Sequence, residues 1–338
     1  SETIASRVKN WYLWFLAAST PEDYVLIPEN TTPADVTRNY CAYLDRRGLV
    51  YGELIAKPTK HADGLFCFGF DSHTRSLLNG IIDPSLIENC FCDNAVLQQA
   101  NSKLYCARLL HKYGDDHRVM SPEELFGNSS SFSFPLLIRK PHGSSSSANI
   151  IAGTRADIDA IQRQGLLRGL NEVAVESWLR RITDYSAGFY MDALSYRGFN
   201  IRKLHNSGRG IFSMVRPLRE SEVDDVLVNS AKASAKFLFD ELSAIAYRGP
   251  VNFDFFTYCD ERGDERIKPF CDINARNTMA VIGASVAARL GASDHALASF
   301  NARQLAEKGL AEYDGFISLS DDIFRRYAVN LLLVSPLV

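Results

Sequence analysis

The sequence lacks the features that mark several classes of protein. Its longest apolar runs fall well short of the ~20 residues that a membrane-spanning helix needs. The formal net charge of -3 gives no overall basic surface, which argues against binding to nucleic acid or to an anionic membrane. The N-terminus lacks the order of basic, apolar and small residues found in a secretory signal. We therefore expect a cytoplasmic protein.

Cysteine is present, but not in a pattern that predicts a disulfide framework or a zinc site. The seven cysteines form no paired CxxC motifs. Cys90 and Cys92 are not followed by a His or Cys pair at the spacing of a zinc site. We expect most of these thiols to be reduced and buried.

The composition is that of an ordinary soluble enzyme, with 46% hydrophobic and 23% charged residues. A chain of 338 residues exceeds the size at which one hydrophobic core usually keeps growing, so we expect two or three packed subdomains. No internal repeat is present. The oligomeric state is left open, with a homodimer as one candidate.

The order of apolar runs and helical stretches predicts an α/β (α+β) fold in three parts. We place a small N-terminal α/β domain at 1–95, a central subdomain at 96–184 and a C-terminal subdomain at 185–338. In the first part, strands near 24–28 and 65–70 flank a helix, an order that favours a parallel sheet. At the other end of the chain, helices are predicted over 279–290 and 294–308.

A hairpin is predicted where two strands, 251–258 and 267–274, flank a polar turn. Alternation places Phe270, Asp272 and Asn274 on one face of the second strand, and Asp254 on the polar face of the first. Three oxygen donors on adjacent strands suit Mg²⁺, with Mn²⁺ as an alternative ion. Arg276 continues along this face and could meet a transferred phosphoryl group. The alternative is a set of solvent-facing polar residues on an edge hairpin.

A second candidate site is the loop after the apolar run 136–140. Lys140 supplies a fixed charge, and Gly143 and the serines beyond it let backbone N–H groups approach anionic oxygens. Such a loop can fold over a polyphosphate. A plain surface loop is the alternative.

A third candidate site is the end of the strand at 172–178. The Glu176 carboxylate can accept the adenine amino proton, and the backbone near Trp178 can pair with the edge of the ring. Asp184 could hold a ribose hydroxyl. The alternative places Trp178 in the core and Glu176 in solvent.

Taken in order, these pieces resemble the ATP-grasp superfamily, and are similar in pattern to D-alanine:D-alanine ligases and biotin carboxylases. The resemblance extends over about 101–290. It is carried by Asn-Ser-Lys at 101–103, Phe-Pro-Leu-Leu-Ile-Arg-Lys-Pro-His-Gly-Ser-Ser-Ser at 134–146, Val-Glu-Ser-Trp-Leu at 175–179, Asn-Phe-Asp-Phe-Phe at 252–256 and Asp-Ile-Asn-Ala-Arg at 272–276.

The resemblance implies two α+β subdomains that grip ATP, and it implies a role for each matched residue. Metal binding falls to Asp254, Asp272 and Asn274, and catalysis to Arg276 and Lys140. The remaining residues would bind ATP: Lys103, Lys140, Gly143, Ser144, Ser145, Ser146, Glu176, Trp178, Leu179, Asp184 and Lys203. The assignment of Lys103 rests on the resemblance alone.

The chain departs from the family's pattern at Asp272, where Glu is usual. Because Asp is one methylene shorter, either the strand lies closer to the metal or a water intervenes. The stretch 206–210, with Arg202, Lys203 and Arg209 nearby, matches the mobile loop that covers the reacting groups in the family. A solvated hairpin is the alternative there.

The resemblance implies an ADP-forming ligase that activates a small-molecule carboxylate as an acyl phosphate and joins it to an amine. Two alternatives stay open. One is a kinase on the same fold, with a cationic substrate pocket built from Arg202, Lys203 and Arg209. The other is a non-catalytic nucleotide-binding protein.

Overall fold

The computed structural model describes residues 19, 21–26, 34–46, 50–55, 92–143, 149–206, 212–289, 295–300, 316–318 and 329–334. Within these ranges the helices are α1 Ala34–Arg46, α2 Asn94–Ala100, α3 Lys103–Tyr113, α4 Pro122–Gly127, α5 Arg155–Arg163, α6 Asp225–Ala244 and α7 Met279–Arg289. None of these helices is long and apolar enough to cross a membrane.

The described strands form three sheets. They are β1 Tyr24–Leu26, β2 Glu53–Ile55, β3 Arg118–Met120, β4 Leu136–Arg139, β5 Asn149–Ala152, β6 Val173–Ser177, β7 Arg180–Met191, β8 Tyr196–Asn206, β9 Phe212–Pro217, β10 Gly249–Cys259, β11 Glu265–Asn274, β12 His295–Phe300, β13 Phe316–Ser318 and β14 Val329–Val334.

The N-terminal part contains a parallel pair of strands, as predicted. β1 pairs with β2, and α1 connects them along the chain. The sequence had placed the second strand at 65–70, which lies outside the described residues, and had not predicted β2.

The central part is a four-stranded antiparallel sheet in the order β3-β6-β4-β5. Leu136 and Ile138 of β4 pack with Val173 and Val175 of β6, beneath the apolar side of α5. Because successive side chains of a strand point to opposite faces, this packing leaves Leu137 and Arg139 on the other face. That face looks toward the second large sheet.

The C-terminal part is built on an eight-stranded sheet in the order β11-β10-β7-β8-β9-β12-β14-β13. Helix α6 begins after Asp224, whose side chain accepts a 2.8 Å hydrogen bond from Val226 N. One side of α6 buries residues at helical spacing, and these pack against the aromatic side chains of β10. The helix therefore covers one face of the sheet and leaves the other face available for polar residues.

Along the chain, the connection between β6 of the central sheet and β7 of the eight-stranded sheet is two residues long. It consists of Trp178 and Leu179, because β6 ends at Ser177 and β7 begins at Arg180. The boundary predicted at 184/185 therefore falls inside β7. Residues 180–184 belong to the same strand as 185–191.

Two predictions are corrected by strand pairing. Phe270 was placed with Asp272, yet it is fully buried in the core with Phe253. The register between β10 and β11 shifts between Asp254 and Phe256, and such a bulge turns a side chain to the other face. The helix predicted over 294–308 is wrong at its start, because residues 295–300 form β12 between β9 and β14.

Candidate functional site

Two aspartates face each other on the hairpin of β10 and β11. Asp254 and Asp272 are direct partners in the antiparallel register, and Asn252 and Asn274 are the next pair on the same face. Directly opposite residues of this kind hold their Cβ atoms about 5 Å apart. The predicted convergence of Asp254, Asp272 and Asn274 on one polar surface is therefore confirmed.

The surroundings of the two carboxylates shift their pKa values in opposite directions. Burial, and then the charge of Asp272, raise the pKa of Asp254 to about 6. Burial also acts to raise the pKa of Asp272, but the cations Lys103 and Arg139 outweigh it and lower this pKa. Asp272 is thus held as a carboxylate, while Asp254 takes up a proton more readily than an ordinary aspartate does.

Lys103 reaches this pair from the start of α3. Its Nζ forms an ion pair with the Asp272 carboxylate, and only 7% of the residue is exposed. Ser102 caps the helix by accepting a hydrogen bond from Leu104 N at 3.2 Å. The Lys103 N–H donates to Pro141 O at 2.9 Å, which ties the helix start to the loop after β4.

Asn101 fixes the same helix end to the end of β11. Its Oδ1 accepts hydrogen bonds from Ala275 N and from Arg276 Nη1, each at 3.0 Å. Arg276 is therefore held just beyond the end of β11, the strand that carries Asp272. It lies where the sequence predicted it, and its role toward a phosphoryl group stays a prediction.

Arg139 is the residue that sequence reasoning missed. It lies 7% exposed on β4 and donates from Nη1 to the Cys271 carbonyl, while its Nη2 lies 3.3 Å from Asp272 Oδ1. Its buried Nε has no hydrogen-bond partner among the described residues. Alternation along β4 was the available signal, because Ile138 belongs to the core and its neighbour must face the opposite way.

Lys140, the residue predicted for this role, lies just beyond the end of β4. It is half-buried, and among the described residues no hydrogen bond or ion pair involves its side chain. Gly143 is exposed in the loop that follows. Ser144, Ser145 and Ser146 lie outside the described residues, so their binding of phosphate stays a prediction.

Glu176 lies in the interior and not at a solvent-facing edge. Its Oε2 lies 2.6 Å from His117 Nε2, and its Oε1 lies 3.6 Å from Arg139 Nη1. Burial acts to raise the pKa of Glu176, but the hydrogen bond and charge of His117, with Arg139, lower it. The alternative of a solvent-exposed Glu176 is therefore wrong, and its role toward an adenine ring stays a prediction.

These contacts join into one series of buried charges, here called the charge chain. Asp115 joins its first two cationic members, since Lys268 Nζ donates to Asp115 Oδ1 at 2.7 Å and His117 Nδ1 lies 3.3 Å from the same oxygen. The charge chain consists of Lys268, Asp115, His117, Glu176, Arg139, Asp272 and Lys103. It crosses from β11 to the central sheet and back, so it binds the two large sheets together.

Trp178 and Leu179 occupy the link between the sheets. The Trp178 N–H donates to Pro135 O at 2.8 Å, so it is already used within the protein. The Arg181 guanidinium lies over the rings of Trp178 and Phe256, at 5.7 and 4.1 Å from their centroids. An adenine ring bound at this link would lie next to both sheets. The binding of adenine here stays a prediction.

Asp184 and Lys203 are both paired within the sheet. Asp184 Oδ1 accepts a hydrogen bond of 2.9 Å from Arg181 Nη1. Lys203 Nζ donates a hydrogen bond of 3.0 Å to Glu222 Oε1. Glu222 also binds Arg216. Lys203 is therefore neutralised by its own chain, which weakens the cationic pocket expected for a kinase. Arg209 lies outside the described residues.

The residues present fit magnesium and a polyphosphate. No cluster of three or more His, Cys, Asp or Glu side chains that could hold a metal occurs in the described part of the chain. Asp254, Asp272 and Asn274 instead offer a partial oxygen shell, and Mg²⁺ is usually bound by one or two carboxylates together with substrate phosphates and water. The unused Nε of Arg139 and the ion-paired Lys103 lie at its side.

Comparison with solved structures identifies the architecture. The carboxyaminoimidazole ribonucleotide synthase of Aspergillus clavatus, complexed with ATP, is similar with a TM-score of 0.54 and 14% identity, over 89% of this chain and 91% of that chain. An N5-carboxyaminoimidazole ribonucleotide synthetase in an ADP complex is similar with a TM-score of 0.50 and 14% identity, over 70% of this chain and 67% of that chain.

A third similar structure is the biotin carboxylase domain of the Hydrogenobacter thermophilus 2-oxoglutarate carboxylase, complexed with MgADP, ADP and bicarbonate. Its TM-score is 0.50 at 11% identity, over 72% of this chain and 63% of that chain. No protein-family model matches the sequence, and no curated protein matches it. The chain has the ATP-grasp fold, as the motif order predicted.

Proposed function

We propose that the protein is an ATP-dependent ligase that activates a small-molecule carboxylate as an acyl phosphate and joins it to an amine, forming ADP and phosphate. The observation that carries this proposal is the facing pair of Asp254 and Asp272 on the hairpin, with two buried cations, Lys103 from helix α3 and Arg139 from the central sheet, paired with Asp272. On an ATP-grasp fold, such a site suits a metal-bound triphosphate.

The hairpin would hold Mg²⁺ through Asp254, Asp272 and Asn274. When bound, the ion would neutralise phosphate charge and withdraw electron density from the transferred phosphorus. Asp254 is poised for this, because a bound cation would favour the ionised form of a carboxyl whose pKa is raised to about 6.

Lys103 and Arg139 would bind the phosphate oxygens. Both are held against Asp272 by backbone and side-chain contacts, so little reorganisation is needed when an anion arrives. This assigns to Arg139 the phosphate contact that the sequence assigned to Lys140. The sequence-predicted roles of Trp178, Leu179 and Asp184 near the adenosine are retained in the proposal.

The chemistry runs in two displacements. A carboxylate oxygen of the substrate attacks the γ-phosphorus, the bond from that phosphorus to the β,γ-bridging oxygen breaks, and ADP leaves with the electron pair. The amine then attacks the acyl carbon, phosphate leaves with the C–O electrons, and the amine proton passes to phosphate or water. Arg276, just beyond the end of β11, would meet the charge that builds on the transferred group.

The test is the formation of ADP with Mg²⁺, ATP and a panel of amino acids, dipeptides and simple carboxylates, each with and without an added amine. We expect ADP release only with a matching carboxylate and amine, and a drop of about 10³-fold in kcat for Asp272→Asn. The control is Lys236→Ala, which removes only the exposed pair with Asp240. Steady ADP release without any acceptor, or equal release by Asp272→Asn, would contradict the proposal.

A further inference from the structure

Arg202 is a buried cation outside the charge chain. It lies on β8 with 8% of its surface exposed, and its one side-chain hydrogen bond among the described residues runs from Nη1 to Asn252 Oδ1 at 3.3 Å. No carboxylate of the described chain lies within ion-pair distance of it. Burial lowers the pKa of Arg202 to about 10, and no nearby carboxylate offsets that effect.

A buried cation without a counter-ion is expensive, because it has lost its hydration without gaining an opposite charge. The buried cations Lys103 and Arg139, by contrast, are both paired with carboxylates. An anion from outside the protein would supply what the environment of Arg202 lacks.

The position of Arg202 places that anion beside the proposed reaction site. Direct strand partners link Asp272 to Asp254, Asp254 to Ser186, and Ser186 to Arg202. These four residues therefore form a row across β11, β10, β7 and β8, all on one face of the sheet. The row runs from the proposed metal site to the unpaired guanidinium.

Gly188 allows the guanidinium to approach the hairpin. Gly188 is the strand partner of Asn252, and a Cβ there would lie 2.6 Å from Asn252 Oδ1 and 3.4 Å from Arg202 Nη1. A side chain at 188 would therefore push these groups apart. The missing side chain lets Arg202 reach across β7 to Asn252, in the row that also contains Asn274.

We propose that Arg202, positioned by Asn252 across Gly188, is a substrate-binding residue that holds an oxyanion of the acceptor substrate. This inference rests on the proposed function for the identity of the site. A planar guanidinium suits both carboxylate and phosphate groups through paired N–H donors. Either group would be held on the same sheet face as Asp254.

The test uses chloride as a probe anion. Chloride binding is measured as the broadening of the ³⁵Cl NMR line when the whole chain is present without nucleotide. We expect Arg202→Gln to lose most of the broadening. Arg197→Gln is the matched control, because Arg197 is an exposed arginine of the same strand that lies over the Tyr190 ring. Gly188→Ala should lose broadening as well, since it displaces Arg202 without removing the charge.

Competition identifies the anion. Displacement of the Arg202-dependent signal by acetate indicates a carboxylate substrate, and displacement by inorganic phosphate alone indicates a phosphate-bearing one. The inference would be overturned if Arg202→Gln and Gly188→Ala broadened the ³⁵Cl line as much as the wild-type chain does. Because this assay contains no ATP, its outcome is distinct from a failure to form ADP, which would sink only the proposed ligase activity.

Discussion

A row of strand partners runs from Asp272 of the charge chain to Arg202, yet the two buried charge systems are paired in opposite ways. In the charge chain every buried cation has a carboxylate partner, and the series links the two large sheets. Arg202 is equally buried but has only an amide oxygen as its hydrogen-bond acceptor among the described residues. The first arrangement holds the protein together, and the second leaves a charge for a ligand.

The largest effect expected from this comparison is on stability. Arg139→Gln would leave Asp272 and Glu176 short of a buried partner, so we expect the free energy of unfolding to fall by about 3 kcal/mol. Arg202→Gln removes a charge that no carboxylate compensates, so stability should stay the same or rise. Urea denaturation of both variants without nucleotide measures the difference. Equal destabilisation by the two substitutions would contradict the claim that paired and unpaired buried cations differ in their contribution to stability.

A smaller, pH-dependent effect is expected at His117. Burial acts to lower the pKa of His117, but Asp115 and Glu176 raise it above the 6.5 of a free histidine. A raised pKa means that the stabilisation is fully present below pH 6.5 and is lost as the pH rises through the folded-state value. Glu176, with its pKa lowered from 4.5, contributes in the opposite sense and loses its contribution only at lower pH.

We therefore expect His117→Gln to cost about 1–3 kcal/mol near pH 6, and less as the pH is raised. Unfolding midpoints measured from about pH 5 to about pH 9 give this difference directly. A difference between the variant and the wild type that is independent of pH would show that His117 is neutral in its pair with Glu176.

Local patterns were sufficient for the parts of the site that lie along one strand. Alternation put Asp254, Asp272 and Asn274 on one face, and the register confirms it. The order of the motifs also predicted the ATP-grasp fold, and Lys103 at the start of a helix, before any contact was known.

Features that depend on contacts distant in the sequence were not predictable in the same way. The pairing of Glu176 with His117 joins residues 59 positions apart, and no motif marks it. The bulge beside Phe270 depends on the pairing of β11 with β10, and Pro269 is the one residue there whose type is typical of a bulge or an edge strand. Arg139 was the exception, because alternation along 136–140 already separated it from Lys140.

Tertiary pairing also decided the secondary structure near the end of the chain. The segment 295–300 was predicted as the start of a helix, yet it forms a strand between β9 and β14. Its alanines and leucine are compatible with a helix, but pairing with β9 and β14 on either side makes it a strand instead. The unpaired state of Arg202 is likewise visible only once all its neighbours are in place.

The most direct test of the central claim is the affinity for ATP measured calorimetrically with and without Mg²⁺, for the wild-type chain, Asp272→Asn and Arg202→Gln. The site described here predicts binding that is strengthened by Mg²⁺ in the wild type and in Arg202→Gln, and that loses this dependence in Asp272→Asn. ATP affinity that ignores Mg²⁺ in the wild-type chain would contradict the assignment of Asp254 and Asp272 as the metal site.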